Sequence, residues 1–222
     1  MPSQKVILVD NRNRKTGVEE KIKAHEEGKL HRTFSIFVFN KMGELLLQQR
    51  AKTKYHSAGL WTNTVCSHPK LGETYYQATN RRLKEEMGFD CALKKKFCFI
   101  YKTKFGNGLT EHEYDCIFTG EFDGIPKPEP EEVVGYRWIS PKELNEDIKK
   151  TPEKYTVWLK IALEKLMKEK KIKNERKNDA YRIYAVKSSN PVSRTTKAAS
   201  ASGMFGLSTK RATLLPFLPL RK

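Results

Sequence analysis

Short runs of apolar, β-branched and aromatic residues recur along the chain and predict a series of β-strands. The runs lie at 6–10, 33–40, 44–50, 97–101, 113–122 and 134–139. Few helical patterns interrupt them, and most of the connections are short enough for hairpins. This arrangement favours a mixed α+β fold over a doubly wound parallel sheet.

One helix has a readable start and a readable end. Thr74 followed by Gln77 fits a capping box, in which each residue satisfies a free backbone N–H of the first turn. Gly88 fits the left-handed position that commonly ends a helix. The sequence therefore predicts a helix over 75–87.

Two further helices are predicted near the end of the ordered part. Ser140–Pro141 with Glu143 combines a cap residue with a first-turn proline. Thr151–Pro152 predicts the start of the next helix. Its apolar positions follow helical spacing at Tyr155, Trp158, Leu159, Ala162, Leu163 and Leu166.

Composition separates a first domain, 1–173, from a tail, 174–222. Residues 188–210 are rich in Ser, Thr and Ala and low in apolar content, so they cannot bury enough surface to offset their ordering entropy. The end of the tail, LLPFLPLRK, is apolar, but its two prolines exclude a regular helix. The tail is therefore predicted to be disordered. It carries about half of the net charge of +17. Positive charge attracts polyanions, which include phosphorylated metabolites as well as nucleic acids. The tail shows no interleaving of basic and aromatic residues, so nucleic acid is not favoured as the main partner.

Several classes of protein do not fit this chain. No run approaches the roughly 20 apolar residues that span a bilayer, and the N-terminus lacks the apolar segment of a secretory signal. The four cysteines, at 66, 91, 98 and 116, form no C-x-x-C pair. Free thiols in a reducing, cytoplasmic setting are therefore expected.

Residue types that bind metals form one group along the chain. They are His25, His31, Cys66-Ser67-His68 and Glu111-His112-Glu113. Glu111 and Glu113 are two apart in a predicted strand and share a face, and Gly28 permits a turn that brings His25 and His31 together. Three imidazoles and two carboxylates suit a divalent transition metal. Five histidines scattered over the surface remain the alternative.

The predicted helix 75–87 ends with an acidic pair. Glu85 and Glu86 lie where the helix dipole disfavours negative charge. Arg81 and Arg82, one turn earlier, can compensate the pair, and so can Mg²⁺. These residues alone favour an ordinary ion-paired helix over a magnesium site.

The same segment resembles the Nudix box, a loop–helix signature of metal–diphosphate chemistry. The matching positions are Glu73, Arg81, Leu83, Glu85, Glu86, Gly88 and Phe89. Ser67 stands where the box has glycine, and Arg82 stands where it has a central glutamate that helps to hold the hydrolytic Mg²⁺. A Nudix diphosphohydrolase is therefore the alternative interpretation rather than the first one.

Residues 5 to about 170 resemble type I isopentenyl-diphosphate Δ-isomerase, a Nudix-fold enzyme. The segments that carry the resemblance are AHEEGKLHRTFSIFVFN, LLLQQRAKTKY, GLWTNTVCSHPKLGE, RRLKEEMGF and LTEHEYDCIF. The resemblance implies a Nudix-type mixed β-sheet core flanked by helices. It also implies interconversion of isopentenyl and dimethylallyl diphosphate, in isoprenoid precursor biosynthesis, by a monomer acting on a small-molecule diphosphate.

The resemblance also implies roles for individual residues. One Mn²⁺ or Zn²⁺ would be bound by His25, His31, His68, Glu111 and Glu113, and a Mg²⁺ by Glu86. The diphosphate would be gripped by Lys21, Arg50, Lys54 and Arg82. Cys66 would be the catalytic cysteine, Glu113 with Tyr101 would exchange the other proton, and Trp158 would line the pocket near the reacting carbons. A tertiary carbocation would be the intermediate, and Trp158 could stabilise it through its π face.

Overall fold

The predicted apolar runs all form strands in the computed structural model, which describes residues 4–169. The strands within this range are β1 Lys5–Val9, β2 Lys15–Glu20, β3 His31–Phe39, β4 Leu45–Arg50, β5 Trp61–Thr62, β6 Val65–Ser67, β7 Lys94–Lys104, β8 Thr110–Glu121 and β9 Val133–Ile139. The sequence did not predict β2, β5 and β6. β2 is a polar edge strand, and β5 and β6 are too short to show a periodic pattern.

The strands form one mixed sheet organised around β3. This strand runs parallel to β8 over its whole length and antiparallel to β6 and to β1. β7 extends the sheet beyond β8, and β4 joins β5 and β9 to it. The mixed pairing and the flanking helices confirm the predicted α+β class.

Four helices flank the sheet in the described part of the chain. They are α1 Lys21–Glu26, α2 Tyr75–Met87, α3 Pro141–Lys150 and α4 at 157–169. None of these helices is long and apolar enough to cross a bilayer. The predicted capping box forms at the start of α2, and Gly88 ends α2 with a φ of 72°. The predicted cap and first-turn proline begin α3, where Ser140 and Glu143 also form a capping box.

The predicted start of the third helix is wrong by several residues. Pro152–Lys154 form one turn of 3-10 helix instead, and α4 begins at 157. The reason is that the intervening residues are extended against β5. Tyr155 pairs with Trp61, and the Thr156 N–H donates to the Trp61 carbonyl at 3.0 Å.

Alternating residues of β3 divide the core into two halves. Phe34, Ile36 and Val38 pack with residues of α2, and Phe37 packs with residues of α3 and α4 on the opposite face. The period of two in the sequence thus fixes which helix covers which face. The sheet is a rigid platform between two apolar layers.

The expectation of four free thiols is wrong for one pair. Cys98 on β7 and Cys116 on β8 lie directly opposite each other in the antiparallel register and form a disulfide. Cys66 and Cys91 are free thiols. The predicted disordered tail, 174–222, lies outside the described residues.

Candidate active site

Three strands and one turn bring the predicted metal ligands together. In the sheet register, Glu113 lies beside His31 on one side and Tyr101 on the other. α1 carries His25, and the chain then turns back into β3 through Gly28, whose φ is 61°. The left-handed backbone that glycine allows is therefore what places both histidines at one point, as predicted.

Four buried side chains converge on one point. The ligand atoms of His25, His31, His68 and Glu113 all lie within 4.8 Å of one another. Glu113 Oε1 is 3.7 Å from the Nε2 atoms of both His31 and His68. With residues 4–169, the Nε2 atoms of His25, His31 and His68 make no hydrogen bond, although buried polar atoms nearly always have a partner.

Backbone contacts and burial leave these imidazoles neutral and oriented so that they can bind a cation. Nδ1 of His25 contacts the Lys21 carbonyl at 2.7 Å, and Nδ1 of His31 contacts the Lys29 carbonyl at 2.8 Å. A proton on Nδ1 leaves the Nε2 lone pair free for a metal. Burial lowers the pKa of His25 and lowers the pKa of His68 to about 3, so both rings are neutral. Unpartnered, neutral imidazoles beside a carboxylate fit a divalent transition metal.

The fifth predicted ligand, Glu111, lies next to this group but not within it. Its carboxylate groups instead with His25 and with His56, which the sequence analysis did not single out. His56 Nε2 is 3.3 Å from Glu111 Oε1. His112 faces elsewhere, since its Nδ1 contacts the Gly28 carbonyl at 3.0 Å. His56 follows the half-buried Tyr55 in an irregular loop, which provides no periodic signal.

Two carboxyl groups share one phenol. The Tyr101 hydroxyl lies 2.8 Å from Glu111 Oε2 and 2.7 Å from Glu113 Oε2. Burial and the neighbouring Glu113 raise the pKa of Glu111 well above its usual range. Burial opposes the charge of Glu113 as well, but the imidazoles of His31 and His68 hold its pKa well below its usual range. The pair therefore keeps one proton and one negative charge close to the Tyr101 hydroxyl.

Cys66 lies on β6 opposite Ser35 of β3 and lines the same cavity as Glu113. Burial raises the pKa of its thiol, and the nearby carboxylates raise it further. The cysteine therefore carries its proton at neutral pH. Behind it, the Ser35 hydroxyl donates to the fully buried Asp115 at 2.9 Å.

The remaining predicted residues line one cavity of about 140 Å³ together with Cys66, His68, Glu111 and Glu113. They are Lys21, Arg50, Lys54, Arg82, Glu86 and Trp158. The predicted residues thus lie at both ends of the cavity, the cations at one end and the metal-binding and acid/base groups at the other. Gln48, Tyr55 and Glu132 also line it and were not predicted.

Four positively charged side chains of this cavity repel one another: Lys21, Arg50, Lys54 and Arg82. Burial lowers the pKa of Lys21 to about 8, and the charges of Lys54, Arg50 and Arg82 add to the effect. Such a shift indicates excess positive charge that an anion would relieve. A diphosphate has the size and the charge for that position.

Carboxylates hold two of these cations in place. Arg82 binds Glu86 through Nη2 at 2.6 Å and approaches Glu132 at 3.2 Å, and Lys54 pairs with Glu132. The other oxygen of Glu86 accepts from Gln48 at 2.9 Å. Gln48 therefore orients Glu86, the predicted magnesium residue, and Glu132 orients Lys54 and Arg82, two of the predicted diphosphate residues. Of the two, Gln48 alone had a signal in the sequence, because it lies two residues before Arg50 on the same strand.

Trp158 closes the cavity from α4 and is 1% exposed. The Arg50 guanidinium lies 5.2 Å from the centre of its ring, and His56 meets the ring edge-on at 5.7 Å. The indole is thus both a buried residue of α4 and a wall of the cavity, as the sequence analysis allowed.

Comparisons with known proteins agree with this geometry. A family model of the NUDIX domain matches residues 29–159. Isopentenyl-diphosphate Delta-isomerase 2 of Aromatoleum aromaticum is 51% identical over 162 residues, which are 73% of this chain and 86% of the relative. Isopentenyl-diphosphate Delta-isomerase of Pectobacterium atrosepticum is 45% identical over 166 residues, which are 75% and 93% of the two chains.

A solved structure shares the fold. The crystal structure of DR0079 from Deinococcus radiodurans superposes with a TM-score of 0.62 and 19% identity, over 73% of this chain and 98% of that one. At that identity the likeness concerns the fold alone. The mixed sheet and its flanking helices are therefore an architecture found in other proteins as well.

Proposed function

We infer the reaction from the premise that this chain belongs to the NUDIX domain family and, within it, to the isopentenyl-diphosphate Delta-isomerases. It is an isomerase that interconverts isopentenyl diphosphate and dimethylallyl diphosphate, the precursors of isoprenoids. One observation supports the assignment most directly: a single cavity joins a group of four cations to a buried set of imidazoles and carboxylates.

The cationic end of the cavity binds the diphosphate. Among residues 4–169, no carboxylate lies within ion-pairing distance of Lys21 or Arg50, whereas Lys54 and Arg82 are already paired with Glu132. The diphosphate supplies the negative charge that these cations lack. Its binding there fixes the position of the reacting carbons relative to the other end of the cavity. Mg²⁺ at Glu86 would take one protein carboxylate and the substrate phosphate oxygens, which is a common arrangement for this ion.

The other end of the cavity moves the protons. The forward reaction adds a proton to C4 of the substrate and removes one from C2, so that the double bond moves from C3–C4 to C2–C3 through a tertiary cation at C3. Glu113 with Tyr101 forms one acid/base group, and the Cys66 thiol forms the other. Each group ends a turnover in the opposite protonation state, so the protons balance between them.

The buried donors would hold Mn²⁺ or Zn²⁺. The residues are His25, His31, His68 and Glu113, with Glu111 beside them. A bound divalent cation supplies positive charge that makes a proton on the neighbouring carboxyl or phenol group easier to release. In the same region Trp158 presents an aromatic wall, which can stabilise the C3 cation by about 2 kcal/mol when water is excluded.

A diphosphohydrolase is less consistent with the site. Arg82 occupies the helix position at which hydrolysis requires a carboxylate, and its guanidinium binds Glu86. A hydrolase would also have no use for Cys66 or for the buried imidazoles. A nucleic-acid role of the tail, a monomeric state and a cytoplasmic location stay predictions, and the Cys98–Cys116 disulfide does not favour the reducing setting on which the last one depended.

The test follows the substrate in D₂O. Purified protein is incubated with isopentenyl diphosphate, Mg²⁺ and Mn²⁺, and NMR detects the products. We expect deuterated dimethylallyl diphosphate from the wild type and none from Cys66→Ala or Glu113→Gln. Cys91→Ala is the matched control, because Cys91 is the other free thiol and lies outside the cavity. Release of phosphate without movement of the double bond would contradict the assignment.

A further inference from the structure

Four of the five histidines of the chain have buried Nε2 atoms that make no hydrogen bond within the part of the chain that the structure describes. Three of them belong to the donor group already described. The fourth, His56, belongs to an irregular loop between β4 and β5 and is 7% exposed. The metal centre described so far gives this ring no role.

Packing fixes the direction of the His56 ring. Phe105 stacks on it with a centroid distance of 4.9 Å and an interplanar angle of 14°, and Trp158 meets it edge-on. Nδ1 lies 3.4 Å from the Ser57 hydroxyl. Nε2 is therefore the nitrogen that faces the cavity, where the ligand atoms of His25, His56 and Glu111 all lie within 4.8 Å of one another.

His56 approaches Glu111 without forming a hydrogen bond. The distance from Nε2 to Oε1 is 3.3 Å, yet Nε2 has no hydrogen-bond partner. Two donor atoms of one octahedral ion with bonds of about 2.1 Å lie about 3 Å apart, which is close to this separation. A cation between them would satisfy both atoms.

The two donor groups share His25, although their atoms do not all lie within 4.8 Å of one another, so an ion bound by both would draw the two groups closer together. Nδ1 of His25 is occupied by the Lys21 carbonyl, so only Nε2 remains, and one lone pair binds one cation. We propose that His56 is an additional donor to the metal of this centre, so that four imidazoles and two carboxylates surround a divalent transition metal. Six donors suit an ion that prefers octahedral coordination. This inference rests on the proposed metal centre and deepens it.

The experiment counts imidazoles on the bound metal. The full chain is stripped with a chelator and loaded with Co²⁺, and X-ray absorption fine structure measures the number of imidazole rings in the shell. His56→Gln keeps a side-chain N–H that can donate to Glu111 but removes the ring. His112→Gln is the matched control, because His112 faces the Gly28 carbonyl and belongs to neither donor group.

We expect four imidazoles in the wild type and in His112→Gln, and three in His56→Gln. We also expect the Co²⁺ affinity of His56→Gln to fall by at least about tenfold, since even groups that only support metal ligands cost that much when lost. Three imidazoles in the wild type, or the same count in His56→Gln, would overturn the role of His56 and leave the metal centre intact. Failure of the wild type to bind Co²⁺ would overturn the centre itself. The wild-type count decides the question even if the variant does not fold.

Discussion

The two ends of the cavity lack opposite charges. At one end, neutral imidazoles and the Glu113 carboxylate face one another without hydrogen bonds to the Nε2 atoms. At the other end, four cations face Glu86 and Glu132 as the only carboxylates of the described residues, and the pKa of Lys21 falls to about 8. The first end lacks a cation and the second lacks an anion. A substrate with a diphosphate at one end and a hydrocarbon at the other is oriented by this difference before any chemistry occurs.

Among the substitutions that affect one end of the cavity and not the other, Tyr101→Phe is expected to have the largest effect on the kinetic constants. It removes only the hydroxyl that Glu111 and Glu113 share. We expect kcat to fall by about 10²–10⁴, the usual contribution of a positioned acid/base group, while KM for isopentenyl diphosphate stays nearly constant. Steady-state kinetics with both metals in excess measures the two constants separately.

Tyr114→Phe is the control for that change. Tyr114 is the next residue after Glu113 on β8, so its side chain points to the opposite face of the strand. We expect kcat to stay within about twofold of the wild type, as for substitutions away from an active site. If KM in Tyr101→Phe rises by as large a factor as kcat falls, the two ends do not act separately, because a residue at the proton-transfer end then also affects substrate binding.

Lys54→Met should produce the reverse pattern with a smaller effect. It removes a cation of the diphosphate end and leaves the imidazole end unchanged. A hydrogen bond to a charged group contributes about 1.5–3 kcal/mol, so we expect KM to rise by about 10–100-fold with kcat little changed. Lys52→Met is the matched control, because Lys52 is exposed two residues earlier in the same loop and lies outside the cavity. A comparable rise of KM in the control would mean that only the general positive charge of the loop matters.

The pH dependence of kcat/KM gives a smaller effect, which comes from Lys21. Burial and the neighbouring cations lower its pKa to about 8, so its charge is present below that pH and is lost above it. We expect kcat/KM to fall by less than about tenfold between pH 8 and pH 9, because the charged fraction of Lys21 changes by less than tenfold over that unit. Lys21→Arg keeps the charge at every pH in this range, so the decline should disappear. A decline that persists in Lys21→Arg would assign it to another group.

The strands and two helices of the fold were predictable because their signals are local. The apolar, β-branched and aromatic run at 33–40 identified β3, a capping box identified the start of α2, and a cap residue with a first-turn proline identified the start of α3. The start of α4 was not predictable. It depends on Tyr155 and Thr156 pairing with β5, which lies far away in the sequence.

The site was predictable to the same extent. Glu111 and Glu113 share a face through the period of a strand, and Gly28 marks the turn that joins His25 to His31. The roles of the diphosphate residues came from the family resemblance, because their positions follow no period. His56 and Glu132 were missed because they lie in irregular loops, where only tertiary packing decides which side chain reaches the cavity.

Thr74→Ala is expected to have the smallest effect. It tests whether the cap of α2 contributes to the stability of the fold alone or also to substrate binding at the diphosphate end. Thr74 caps the helix that carries Arg82 and Glu86 to the diphosphate end, and it accepts from the Gln77 N–H at 3.3 Å. Loss of such a cap lowers the free energy of unfolding by about 1 kcal/mol, which urea denaturation measures. Thr16→Ala, at an exposed position of β2, should change it by less than about 0.5 kcal/mol. Since the core holds α2 in place once the protein is folded, we expect kcat and KM of Thr74→Ala to equal those of the wild type. A selective rise of KM would instead show that the diphosphate end depends on the first turn of α2, more than 10 Å along the helix from Arg82 at about 1.5 Å per residue.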